Sequence, residues 1–232
     1  MIKSFLTTTL LISFFFAFSG ATNAQTTASI DLVWEASSYT PPLYAGKALS
    51  TTDGDVDVVA FIPNYFGDPT QASYTWELNG YVLGSLSGTG RSSLHISGSP
   101  FITDRSVRVT VSSRNGQQGF GFVRIPSVKP RVVLYEDSAL GGVLFSHALS
   151  NRIEATTDTD IVLTAYPYFF STNKRGSNLS YIWKVDGQNA ETNSASFVAR
   201  SEVAGTSTVS IEARHTNRIL EQASKILSVV LQ

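Results

Sequence analysis

Tyr74-Thr75-Trp76-Glu77-Leu78-Asn79-Gly80 returns in the second half of the chain as Tyr181-Ile182-Trp183-Lys184-Val185-Asp186-Gly187. In each copy Tyr, Trp and Leu or Val stand at alternate positions, so they share one face of a β-strand. Each copy closes on Asn-Gly or Asp-Gly, dipeptides that accept positive φ at low cost and so mark tight hairpin turns. A strand repeated with its buried tryptophan predicts two similar β-domains in tandem. Trp76 and Trp183, with Tyr74 and Tyr181, are the expected core residues, and each indole should fill the space between two sheets.

The repeat extends outward from this strand. Ile30, Leu32 and Trp34 alternate as an opening strand, and Val132-Val133-Leu134-Tyr135-Glu136 echoes Leu32-Val33-Trp34-Glu35. Pro41-Pro42 interrupts pairing, after which Leu43 to Leu49 is expected to resume as a strand that changes sheets. Phe145 to Leu149 echoes that segment. Val56, Val58 and Ala60 match Ile161, Leu163 and Ala165, while Val107 and Val109 match Val209 and Ile211. Asn115-Gly116 marks a hairpin, and Arg214 to Ser224 at the equivalent place is read as a hairpin too. No stretch keeps a 3.6-residue apolar period. About seven short strands per unit of about 100 residues indicate an all-β chain of two β-sandwiches. The expected domains are residues 29–127 and 128–232, joined through Pro126-Ser127-Val128-Lys129-Pro130, a short and stiff connector.

The chain has 232 residues, and residues 1–24 read as a signal peptide: Lys3, an apolar run from Phe5 to Phe18, then small residues to Ala24. Threonines and Ser13 interrupt the apolar run, which is shorter than the ~20 residues of a spanning helix. No later segment is long and apolar enough to span a membrane. Cysteine is absent from the sequence. An exported chain without disulfides suits a bacterial envelope protein that relies on core packing. Charged residues make up 15% and the net charge is -1. Without a basic stripe, nucleic acid is not an expected partner. The expected location is periplasmic, cell-surface or extracellular.

A Tyr-x-Trp-x-x-Asn/Asp-Gly strand within a hundred-residue β-domain resembles the C strand of immunoglobulin-like and PKD-like modules of bacterial secreted and envelope proteins. The resemblance covers nearly all of the chain after the leader. PKD domains usually carry Trp-x-Phe-Gly-Asp-Gly, whereas Trp76 is followed by Glu77-Leu78-Asn79-Gly80; the cysteine pair of antibody domains is absent as well. The resemblance implies a non-enzymatic structural or binding protein whose partner is an envelope or surface protein, or a polysaccharide. Edge strands of such modules suit strand addition in surface or pilus assembly.

Candidate functional residues are few. His95, His147 and His215 lie far apart, with no metal-ligand or triad spacing. Glu35 and Glu136 occupy equivalent repeat positions, which favours a shared structural role over catalysis. Asp53, Asp55 and Asp57 alternate and could face a calcium ion, or stand solvated in a turn before a strand. The aromatics Tyr65 and Phe66 after Pro63, and Tyr168, Phe169 and Phe170 after Pro167, fall between equivalent strands at one end of each sandwich. Two readings stay open for them: exposed platforms for a sugar or protein, or caps that close the sandwich. Tyr39 and Tyr44, flanking Pro41-Pro42, carry the same pair of readings.

Overall fold

The computed structural model describes residues 27–101, 104–172 and 178–232. The signal-peptide reading of residues 1–24 lies outside the described residues. The first sandwich contains β1 (Ala28–Ser29), β2 (Asp31–Ala36), β3 (Val56–Phe61), β4 (Ser73–Leu78) and β5 (Tyr81–Val82). It continues with β6 (Gly88–Thr89), β7 (Ser93–Ile96), β8 (Asp104–Ser112) and β9 (Gln118–Pro126). One sheet runs β1-β9-β8-β4-β5, with β6 also on β4, and it faces a second sheet β2-β3-β7.

The second sandwich contains β10 (Arg131–Ser138), β11 (Gly142–Ala148), β12 (Arg152–Ala155), β13 (Ile161–Tyr168) and β14 (Leu179–Val185). It ends with β15 (Gln188–Asn189), β16 (Ser196–Ala199), β17 (Gly205–His215) and β18 (Gln222–Leu231). Its sheets run β11-β10-β13-β16 and β12-β18-β17-β14-β15. Among the described residues there is no α-helix.

The alternation in β4 and β14 is the reason each sheet has a buried face. Tyr74 and Trp76 are fully enclosed, opposite Val111 and Val109 of β8. Trp183 is enclosed opposite Ile211 of β17, and Tyr181, half-buried, packs on the same core opposite Ala213. A buried indole needs an acceptor for its N–H. Trp76 Nε1 donates to Arg91 O (2.8 Å) and Trp183 Nε1 to Ser194 O (2.9 Å). Asn79 and Gly80 stand at φ 51° and 84°, and Asp186 and Gly187 at 47° and 84°. Two successive positive φ values make these the primed turns that match strand twist. Their side chains also tie each turn to the neighbouring strand. The Ser106 N–H donates to Asn79 Oδ1 and the Thr208 N–H to Asp186 Oδ1.

The two copies diverge after their opening strands. Leu43 to Leu49 does not resume as a strand; residues 37–55 form an irregular loop, while the second sandwich has β11 and β12 there. Two prolines remove two backbone donors from any ladder. Leu43 stands in the left-handed region (φ 64°), and the backbone of Tyr39 is hydrogen-bonded to the other sandwich. In the second copy β12 pairs parallel to β18 over Arg152–Ala155; in the first, β1 does so against β9 over Ala28–Ser29.

Candidate functional site: the seam between the sandwiches

The loop over residues 37–55 reaches the second sandwich at two places. Near its start, the Tyr39 N–H donates to Phe170 O (2.8 Å) and the Phe169 N–H to Tyr39 O (2.9 Å), a short antiparallel bridge. Near its end, Ser50 to Gly54 makes a buried turn held from both sides. From the first sandwich, Arg105 donates to Ser50 Oγ (3.0 Å), Thr52 O (2.7 Å) and Gly54 O (2.8 Å). From the second, Glu221 accepts the Thr51 hydroxyl at Oε1 (2.6 Å). Arg105 and Glu221 are each only 1% exposed. Such groups are tolerated inside a protein only when their hydrogen bonds are made.

Glu221 also accepts from Ser171, the hydroxyl at Oε1 (2.6 Å) and the backbone N–H at Oε2 (2.8 Å). His215 extends the network. Asn217 N–H donates to its Nδ1 (3.1 Å), so Nε2 carries the proton and donates to Ser171 O (3.0 Å). Arg218 reaches across to Asp55 (3.2 Å), and the Val128 N–H of the connector donates to Ser50 O (2.9 Å). A Cβ at Gly54 would come within 2.7 Å of Ser50 Oγ and 2.8 Å of Ser171 Oγ, so a larger residue there would have to turn aside two hydroxyls that the seam uses. Burial pushes the Arg105 guanidinium below its usual range, with Asp55 opposing that shift.

Beside this polar seam lies an aromatic one. Tyr44 of the loop meets Tyr168 and Phe169 edge-on, with ring centres at 5.7 and 5.9 Å. Phe145 packs on Tyr135 and Tyr166 at 5.3 and 5.0 Å, and the hydroxyls of Tyr135 and Tyr168 share a hydrogen bond of 2.9 Å. Burial pushes the Tyr181 phenol up to about 12, and Tyr39 adds to the shift. Burial also raises Tyr168, followed by its hydrogen bond with Tyr135. The sign of the stability effect follows. Below pH 10 both folded and unfolded chains keep these protons, whereas above it the unfolded chain releases protons that the folded chain retains. Stability is therefore expected to fall as pH rises from about 10 towards 12. Absorbance titration of the phenolates alongside thermal melts checks this: tyrosines all ionising near 10 in the folded chain would contradict it.

The aromatics after the third strand of each sandwich divide differently from either simple reading. Phe66 is buried, within a 3-10 turn at Asn64–Phe66, and Tyr65 lies exposed against it. Phe169 is buried under Tyr44 with φ 64°, and Phe170 is fully enclosed in the second core. Phe66, Phe169 and Phe170 thus offer no ring face to a ligand, which corrects the platform reading for them. Only Tyr65 and the half-buried Tyr168 keep accessible surface. Tyr39 and Tyr44 belong to the seam.

Of the three aspartates weighed for calcium, Asp55 and Asp57 hold separate partners. Asp55 accepts from Gly98 N–H and pairs with Arg218, while Asp57 pairs with His95 (2.8 Å) on the exposed face. Among the described residues no group of three His, Cys, Asp or Glu is placed to hold a metal ion. His147 is exposed on β11. The seam residues Arg105, Ser171 and Glu221 escape sequence reading, because a lone buried charge has no local pattern.

No family model and no curated protein matches this chain. Solved structures match it in fold. The three N-terminal domains of the bacteriophage RB49 Highly Immunogenic Outer Capsid protein align at TM-score 0.50 and 12% identity, over 88% of this chain and 59% of that one. The chain therefore spans about three-fifths of that structure's length. The N-terminal four Ig domains of Dscam1 isoform 4.44 align at TM-score 0.32 and 12% identity, over 86% of this chain and 46% of theirs. Murine CEACAM1b aligns at 0.30 and 12%, over 87% of this chain and 99% of its own. The likeness to the phage capsid-protein domains is one of fold: β-sandwiches in tandem. Among the described residues no helix is long and apolar enough to cross a membrane.

Proposed function

We propose that this chain is an exported, non-enzymatic structural or binding protein of the bacterial cell envelope, in which two sandwiches fixed to one another are presented to a protein partner. The observation that carries this reading is the buried polar seam. Glu221 takes the Thr51 hydroxyl across the junction as well as Ser171 on its own side, while Arg105 pins the turn that carries Thr51 from the first sandwich, so the pair is built to keep one relative orientation. A hydrogen-bonded buried network has a narrow set of geometries in which every member is paired. Phe120 and Phe122, exposed on the outer face of β9, supply an apolar contact, with the Arg108 guanidinium over the Phe120 ring. Ser171, Glu221 and His215 do meet, but inside the buried seam, where their hydrogen bonds are taken up by one another and by backbone groups.

In-cell crosslinking through a photoreactive residue at Phe122 tests the reading, with the same residue at exposed Ile219 as control. Discrete adducts with an envelope protein are expected from position 122 and not from position 219. Adducts absent at 122, or equal at both, would overturn it.

A further inference from the structure

A cleft of about 360 Å³ opens where the two sandwiches meet, and the polar seam does not use it. The loop over residues 37–55 supplies Leu43 and Tyr44 to its wall, and the second sandwich supplies Tyr135, Phe145, Ser146 and Tyr168. Its size lies within the range of roughly 300–1,000 Å³ typical of ligand clefts. We propose that this cleft binds an uncharged saccharide.

Three observations select that ligand class. The first is charge: among the described residues that line the cleft there is no Asp, Glu, Lys, Arg or His, so an ionised ligand would lose hydration there without gaining a counter-charge. The second is the mixture of surfaces. Aromatic rings take the C–H face of a sugar ring, while phenol and serine hydroxyls meet its polar edge.

The third concerns the direction of the remaining hydrogen bonds. Tyr44 Oη donates to Lys47 O (3.3 Å), and one of the two phenols Tyr135 and Tyr168 donates to the other. Two of the three phenolic protons are thus committed inside the protein, and the oxygens are left chiefly as acceptors. A ligand at this wall must bring donors of its own. Sugar hydroxyls do so, whereas a proline-rich peptide, the other common guest of aromatic clefts, has few N–H groups to offer.

The backbone has been bent to make this wall. Leu43 and Phe169 both stand at φ 64°, next in sequence to Tyr44 and Tyr168. Bulky residues in the left-handed region are outliers that persist where the surroundings hold them, and they gather at ligand clamps. The bridge between Tyr39 and Phe169–Phe170 holds both segments here. The inference goes beyond the protein-contact reading and does not depend on it, since Phe120 and Phe122 lie on β9 and not in the cleft.

The test is a glycan array of uncharged and acidic oligosaccharides probed with the full chain, followed by calorimetric titration of bound sugars. Binding of uncharged sugars is expected. Phe145→Ala, which removes a wall, should weaken it by about tenfold. Ser146→Trp fills the cleft from an exposed position and should abolish binding with the fold intact, which guards against a Phe145 variant that fails to fold. Tyr65→Ala, on the outlying loop, should bind as the parent does. Silence across the uncharged glycans, preference for acidic ones, indifference to Ser146→Trp, or capture of a proline-rich peptide instead would each overturn the proposal. Crosslinks from position 122 with no glycan bound would sink the cleft and leave the protein-contact reading standing; the reverse pattern would do the opposite.

Discussion

Trp76→Ala is expected to unfold the first sandwich while the second stays folded. The indole is wholly enclosed between the sheets, so its removal takes away transfer free energy and leaves a cavity that neighbouring strands fill only in part. Changes of this kind cost about 3–5 kcal/mol, against a total stability of about 5–15 kcal/mol for a domain. The lost Nε1 donor adds to this, because Arg91 O would face an emptied space. Trp183→Ala should act in the same way on the second sandwich, where the indole is stacked on Phe197 with ring centres 5.0 Å apart. Urea unfolding followed by circular dichroism checks both, since each variant should split a transition that the parent makes later. A Trp76→Ala chain with the parent's midpoint would refute the core assignment.

Glu221→Ala is expected to have the second large effect, and to act on the pairing of the sandwiches more than on either core. The substitution orphans the Thr51 hydroxyl, the Ser171 hydroxyl and the Ser171 N–H, all of which donate to the carboxylate. A buried donor left unpaired costs about 1–3 kcal/mol. Glu221→Gln is a finer probe: an amide nitrogen would have to oppose either the Ser171 N–H or the two hydroxyls. The adjacent Arg218–Asp55 pair gives the contrast. Its side chains are 25% and 31% exposed, and pairs of that kind contribute about 0–1 kcal/mol. Small-angle scattering of Glu221→Ala should show a broader spread of inter-domain distances, while Arg218→Ala should scatter like the parent. Identical curves for Glu221→Ala and the parent would show that the seam does not set the orientation.

The architecture was legible because it is written in local patterns. The Tyr-x-Trp alternation and the Asn79-Gly80 and Asp186-Gly187 turns are short-range signals, and their duplication fixes strands, buried faces and a tandem of sandwiches. The seam was not legible, because its partners are remote: Thr51 and Glu221 are 170 residues apart. Glu221 follows Ile219 and Leu220 in what reads as an ordinary hairpin tip, and no periodicity marks it for burial. Leu43 to Leu49, within the loop over residues 37–55, reads as a strand for the same reason, since the groups that claim the Tyr39 backbone belong to the other sandwich. The aromatic loops show the limit of a repeat argument. Tyr65-Phe66 and Tyr168-Phe169-Phe170 align in sequence, yet one closes a 3-10 turn and the other is pulled against Tyr44. Of the cleft, sequence pointed to Tyr168 and Tyr44 but not to Tyr135 and Phe145, whose contributions arise from β10 and β11 lying side by side.

The parallel pairing at the margin of each sandwich has a mechanical consequence. β12 and β18 run the same way, so a pull on the N-terminal end of β12 and the C-terminal end of β18 slides one strand along the other. The paired positions from Arg152–Ser228 to Ala155–Leu231 then bear the load together, instead of opening one after another like a zip. In the first sandwich the corresponding contact is only Ala28–Gly119 and Ser29–Phe120. Under tension along the chain the first sandwich is loaded directly across its short clasp, whereas the second takes the load first at β10, which precedes β12 in the chain.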